Sequence, residues 1–142
     1  METCRIYLSG GMCNLSLDEQ SKWRNQVINA IKFGDYHCEK KPIFFNPVDH
    51  YNPTNSRHKS EREIMEYDLN ALRHSDLVIV NFNDQKSIGT AMELMLAKEM
   101  HIPVIGWNPN DTELHPWLAE CTTRLCENLR ETVEHVIEFY LN

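Results

Sequence analysis

The chain has 142 residues and a formal net charge of −7 at pH 7, with 42% hydrophobic and 25% charged residues but only 5 Gly and 6 Pro. That length suits one ordinary domain spanning residues 1–142, able to fold without a staple, and the composition excludes a disordered, collagen-like or low-complexity chain. The acidic balance argues against a nucleic-acid polymer as partner, because duplex affinity comes largely from Lys and Arg neutralising phosphates; a small nucleotide, which one local positive pocket can hold, stays open.

Apolar runs alternate with helical patterns along the chain. Residues 5–9 read as a first strand ending in Gly10-Gly11, and residues 17–33 as a helix that Gly34 stops. On that helix Trp23, Val27, Ala30 and Ile31 share one face, with Lys22, Arg24, Asn25 and Lys32 assigned off it. Residues 43–45 form a short buried strand closed by Asn46-Pro47, and the polar stretch 48–58, containing Pro53, is a loop. A helix over 60–74 precedes an almost wholly apolar strand over 77–82, the composition expected when both faces of a strand are covered. A helix over 89–100 and a strand over 103–107 follow, then a turn at Asn108-Pro109-Asn110-Asp111. The tail offers a short helix over 114–120, a short strand over 123–126 and a last amphipathic helix over 129–141, with Val133, Val136, Ile137 and Tyr140 inward.

This alternation implies βαβ units, and hence an α/β fold with a parallel sheet and helices on both faces. Ligands of such sheets bind beyond the carboxyl ends of the strands. The chemistry is therefore to be sought in the loops 9–14, 46–58, 83–88 and 107–113.

No apolar run reaches the roughly 20 residues of a membrane span, and Met1-Glu2-Thr3-Cys4-Arg5 has no basic n-region or long apolar run of a signal peptide. Five cysteines, Cys4, Cys13, Cys38, Cys121 and Cys126, make an odd number without C-x-x-C, as expected of reduced thiols in a cytoplasmic protein. The seven histidines have no metal-ligand spacing, so neither a metal nor any other cofactor is expected.

Two carboxylates stand in unusual surroundings. Glu93 sits among apolar residues of the third helix. By spacing, Thr90-x-x-Glu93 is a capping box like Ser16-x-x-Glu19 and Ser60-x-x-Glu63; by position, Glu93 stands at the mouth of the expected cleft. Asp68 shares a face with Ile64 and Leu72, and there it either pairs with Arg73, Arg62 or a backbone amide or faces the same cleft. Two carboxylates at one site suit acid–base or nucleophilic work at an acetal-like carbon. In the retaining form one attacks the anomeric carbon and a second acceptor then takes the sugar. Around them, Ser9-Gly10-Gly11 lets backbone approach a ligand, and Ser87-Ile88-Gly89-Thr90 offers either anion donors or ordinary capping at a helix start. Arg57-His58-Lys59 either closes over a phosphate or is a solvated loop end.

Ile6-Tyr7-Leu8-Ser9-Gly10-Gly11, then Glu66-Tyr67-Asp68-Leu69 followed by Ser75-Asp76-Leu77-Val78-Ile79-Val80, then Ser87-Ile88-Gly89-Thr90-Ala91-Met92-Glu93-Leu94 and Ile102-Pro103-Val104, form an ordered set. Over residues 5–107 it resembles the nucleoside 2-deoxyribosyltransferase family, which includes related nucleotide N-glycoside hydrolases. The resemblance implies a three-layer, flavodoxin-like or Rossmann-like five-stranded parallel sheet and cleavage of the bond between a nucleobase and (deoxy)ribose. It implies Glu93 as nucleophile, Asp68 holding the sugar and helping the base leave, and Tyr7 hydrogen-bonded to the nucleophile and setting its ionisation. Ser9, Gly10, Gly11, Asn46, Pro47, Ser87 and Gly89 are the expected substrate-binding set. The implied partner is a small nucleoside or nucleotide. The implied assembly is a homodimer or higher homo-oligomer in which a neighbour completes the pocket, with residues 115–117 in that role.

One position departs from the pattern. Many deoxyribosyltransferases carry an Asp six residues before the nucleophile, facing the 5′ end of the sugar, where this chain has Ser87. A Ser removes a charge that would repel a 5′-phosphate and can donate to one; Asp84, nearby, is positioned in sequence to restore the carboxylate. The expected activity is transfer of a deoxyribosyl group from a 2′-deoxynucleoside or its 5′-monophosphate to another base. The alternatives are hydrolysis of a nucleoside 5′-monophosphate and, without catalysis, a nucleotide-binding module. A flavin electron carrier is disfavoured for want of a flavin phosphate loop.

Overall fold

The computed structural model describes residues 1–12, 15–50 and 57–142. Cys13 and Asn14, at the end of the first expected loop, and Pro53 in the second lie outside the described residues. Five parallel strands, β1 (Thr3–Gly10), β2 (Lys41–Phe45), β3 (Leu77–Asn81), β4 (Val104–Trp107) and β5 (Arg124–Cys126), form one sheet in the order β2-β1-β3-β4-β5. The helices are α1 (Leu17–Phe33), α2 (Glu61–Arg73), α3 (Ile88–Glu99), α4 (Pro116–Glu120) and α5 (Leu129–Tyr140), and a 3-10 turn, Pro47–His50, follows β2.

The two-residue period of the strands sorts the core into two layers. Ile6 and Leu8 of β1 and Leu77 and Ile79 of β3 pack with Trp23, Val27 and Ile31 of α1 and Val133, Val136 and Ile137 of α5. Tyr7, Val78 and Val80 point the other way, toward Leu72 of α2, Leu94 and Ala97 of α3 and Leu118 of α4. β3 is buried along its whole length, as an apolar strand covered on both faces must be.

Boundaries follow local chemistry. α1 runs over the expected residues, with Ser16 accepting from the Glu19 amide at its start and Gly34 closing its end. Ser60 caps α2 in the same way through the Glu63 amide. Tyr140, expected inward, is half-buried, and Leu141 beyond it is fully buried instead. Part of the polar stretch after Asn46 is ordered as the 3-10 turn, because the Asn46 side-chain oxygen accepts from the Val48 amide.

Arg24 is the clear correction. Assigned off the apolar face, it is 0% exposed. It lies four residues after Gln20 and three before Val27, and therefore on the buried stripe of α1. Lys22, Asn25 and Lys32 are exposed as expected.

The order of strands reverses direction at β1 and β3, so the crevice beyond their carboxyl ends is the place where such a sheet binds ligands. Cys4, Cys38, Cys121 and Cys126 are free thiols, and among the described residues no helix is long and apolar enough to cross a membrane.

β4 contains a position with no room for a side chain. A Cβ on Gly106 would stand 2.7 Å from Phe82 and 3.1 Å from both Leu125 and Thr122. Gly106→Ala should therefore cost about 1–3 kcal/mol of stability by overpacking, read as a lower urea midpoint with an unchanged slope; an unchanged midpoint would show that these side chains yield freely.

Candidate active site

β1 presents Tyr7 and Ser9, two residues apart, on the face that α2 and α3 cover. Both reach Glu93. The Tyr7 hydroxyl donates to Glu93 Oε2 and the Ser9 hydroxyl donates to Glu93 Oε1 over 3.0 Å, so each carboxylate oxygen has its own donor. The capping-box reading of Glu93 fails for a local reason. The N-cap of α3 is Ser87, whose Oγ accepts from the Thr90 amide at 3.2 Å, so Thr90 is inside the helix and Glu93 is free to turn toward the sheet.

A cavity of about 540 Å³ opens at this point, bounded by Gly10 of β1, the start of α1, Pro47, and the facing sides of α2 and α3. Asp68 and Glu93 both line it. Asp68 is half-buried and has no hydrogen bond or ion pair among the described residues; Arg62, its candidate partner, pairs with Glu66 on the exposed side of α2. Burial pushes the Asp68 carboxyl up to about 7; the Glu93 charge adds to the rise and Arg24 opposes it. Removal from water also raises Glu93, against the hydrogen bonds from Tyr7 and Ser9 and the charge of Arg24. Burial, then the charges of Glu93 and Asp68, push the Tyr7 phenol far up, which keeps it a donor at neutral pH. Asp68 and Glu93 thus share one cavity with raised affinity for protons, and the charge of one bears on the titration of the other.

The α3 end of the cavity is built differently. Ser87, Ile88, Gly89 and Thr90 line it. The Thr90 hydroxyl donates to Ser87 Oγ at 3.0 Å, which leaves the Ser87 hydroxyl hydrogen for another acceptor. A Cβ placed on Gly89 would meet nothing within 4 Å, so the first turn of the helix stands open to the cavity. Amides there, at the positive end of a 12-residue helix, suit an anion.

The other expected site residues divide. Gly10 lines the cavity, and a side chain there would press into Trp23, 2.8 Å away. Pro47 lines it too. Gly11 does not: its amide donates to Asn83 Oδ1 at 3.1 Å, and the missing Cβ makes room for Asp84. Asn46 is buried and spends its side-chain oxygen on the turn that follows. Asp84 accepts from the Lys86 amide at 3.0 Å and does not line the cavity. His58 lies against the Tyr67 ring, while His115 caps α4 and Trp117 is 79% exposed, away from the cavity of its own chain. Sequence reasoning missed Arg24, which lines the cavity; its spacing sets it on the stripe of Gln20, Val27 and Ile31, but its charge classed it with the surface.

The sequence model of the family described as nucleoside 2-deoxyribosyltransferase matches residues 6–138. No curated protein matches the chain. Among solved structures, the fold is similar to the 2-deoxyribosyltransferase of the psychrotolerant bacterium Bacillus psychrosaccharolyticus, with TM-score 0.71 and 18% identity over 92% of this chain and 90% of that one. It is also similar to the 2-deoxyribosyltransferase of Leishmania mexicana, with TM-score 0.62 and 15% identity over 97% and 99%. The CMP N-glycosidase of Clostridium botulinum gives TM-score 0.57 and 16% identity over 95% and 99%. The chain belongs to the nucleoside 2-deoxyribosyltransferase family and is an enzyme of glycosyl transfer or hydrolysis.

Proposed function

We propose that the protein cleaves the N-glycosidic bond of 2′-deoxynucleosides or their 5′-monophosphates through a covalent glycosyl–Glu93 intermediate and transfers the deoxyribosyl group to another nucleobase. The observation that carries this reading is the Glu93 carboxylate, held on both oxygens by Tyr7 and Ser9 at the wall of a cavity that Asp68 shares. A non-catalytic binding module has no use for such a carboxylate.

In this reading one Glu93 oxygen attacks C1′ of the sugar. The C1′–N bond breaks, its electron pair leaves with the base, and protonated Asp68 gives that base its proton. The acceptor base then attacks C1′ from the vacated side, its proton passes to Asp68, and the ester to Glu93 opens to regenerate the carboxylate. The Tyr7 and Ser9 hydroxyls hold the carboxylate in the attacking geometry and receive it back as the leaving group.

A second reading, hydrolysis of a nucleoside 5′-monophosphate with water as acceptor, draws on the α3 end of the cavity. There the free Ser87 hydroxyl hydrogen and the open first turn at Gly89 suit a 5′-phosphate, and no carboxylate from Asp84 reaches the cavity to repel it. With either reading we propose a cytoplasmic protein that assembles as a homodimer or larger homo-oligomer, a proposal supported by the exposed Trp117, which is open to a neighbouring subunit.

Incubation with deoxynucleosides and deoxynucleoside monophosphates, with and without a free acceptor base, should yield a new nucleoside for transfer or free sugar or sugar phosphate for hydrolysis; neither product would refute both readings. Glu93→Ala should lower turnover at least ~1,000-fold, the scale of a lost nucleophile, with the fold retained by circular dichroism; near-normal turnover would remove Glu93 from the chemistry. Asp68→Asn should cost at least ~100-fold, the scale of lost acid–base assistance.

The pH profile gives an independent check. Asp68 acts in its protonated form and burial pushes its carboxyl up to about 7, so the rate should fall as the pH rises through that region. The falling limb should vanish in Asp68→Asn; its persistence there would assign it to another group.

A further inference from the structure

Arg24 is a fully buried cation with no carboxylate bonded to it among the described residues. Its guanidinium donates to main-chain carbonyls: Nη1 to Gln20 O at 2.8 Å, and Nε and Nη2 to Leu8 O and Gly10 O, each at 3.4 Å. It also lies against the Trp23 ring, 4.6 Å from the centroid. A cation removed from water is costly unless hydrogen bonds and nearby opposite charge compensate it. The two β1 carbonyls flank Ser9, the residue whose hydroxyl holds Glu93 Oε1. Arg24 and Glu93 line one cavity.

Resting on the glycosyl-transfer reading above, we propose that Arg24 is a positioning residue of the active site, gripping β1 on both sides of Ser9 and supplying the positive charge that keeps Glu93 ionised. Two facts fit this assignment. Burial lowers the guanidinium only to about 10, so it is charged at neutral pH. The other titratable groups around Glu93 cannot replace it: Tyr7 on β1 is a neutral donor, and Asp68 and Glu61 on α2 are acids on the same cavity.

The test reads the Glu93 carboxyl directly, without turnover. Carbon-13 NMR of protein labelled at glutamate Cδ, with Glu93→Gln identifying the signal, follows its titration in the wild type, in Arg24→Met and in the charge-keeping Arg24→Lys. Loss of the cation favours the protonated carboxyl, so the Glu93 midpoint should rise by at least one pH unit in Arg24→Met and by less in Arg24→Lys. An unmoved midpoint in folded Arg24→Met overturns the proposal while leaving the glycosyl-transfer reading intact, and a wild type inactive on every substrate above would overturn that reading without touching the titration. Should Arg24→Met fail to fold, the charge balance predicts that Arg24→Met combined with Glu93→Gln recovers a cooperative thermal transition. A double variant equally unfolded would show that Arg24 serves packing alone and would overturn the proposal.

Discussion

A carboxylate drawn out of bulk water must be given donors or it takes up a proton, and the arrangement of this fold around Glu93 answers that demand. The donors come from β1, where the two-residue period puts Tyr7 and Ser9 on one face of the sheet. The same period sends Ile6 and Leu8 to the opposite face, into the core under α1 and α5. A slip of one residue in the pairing of β1 with β3 would exchange these sets, burying hydroxyls in the apolar layer and setting Leu8 against Glu93. The apolar core and the candidate active site are therefore specified by one register.

The wider topology adds the space. Strand order reverses between β1 and β3, the chain leaves their carboxyl ends in opposite directions, and a crevice opens between α2 and α3. Asp68 enters it from α2 and Glu93 from α3, each with its proton affinity raised by loss of water. A charged Glu93 favours a protonated Asp68, and in the proposed mechanism that pairs an attacking carboxylate with a proton donor. Arg24, reaching in from the α1 side of the sheet, biases the same balance.

Much of this was legible in the residues. The alternation of strands and helices dictated the layers, and α1 follows its Ser16 cap and Gly34 stop. The ordered motifs around Tyr7, Asp68 and Glu93 carried the family, which the match over residues 6–138 shows. Three features were not legible, for physical reasons. Capping is a competition among neighbouring hydroxyls, and spacing alone could not show that Ser87 rather than Thr90 begins α3. Backbone amides have no sequence code, so nothing marked the Gly11 amide as the donor that Asn83 engages. A pattern of apolar and polar residues classes every arginine as surface, and it hid a guanidinium whose partners are carbonyls of β1 and α1.

The central claim is that Glu93 becomes covalently bonded to C1′ of the sugar. Intact-protein mass spectrometry after rapid acid quench, on protein mixed with each deoxynucleoside and deoxynucleoside monophosphate and no acceptor base, tests it most directly. The expected result is an added mass equal to the deoxyribosyl or phosphodeoxyribosyl group, located by peptide fragmentation on Glu93 and absent in Glu93→Gln. Turnover without any such adduct at the earliest quench times, or an adduct that persists in Glu93→Gln, would contradict it.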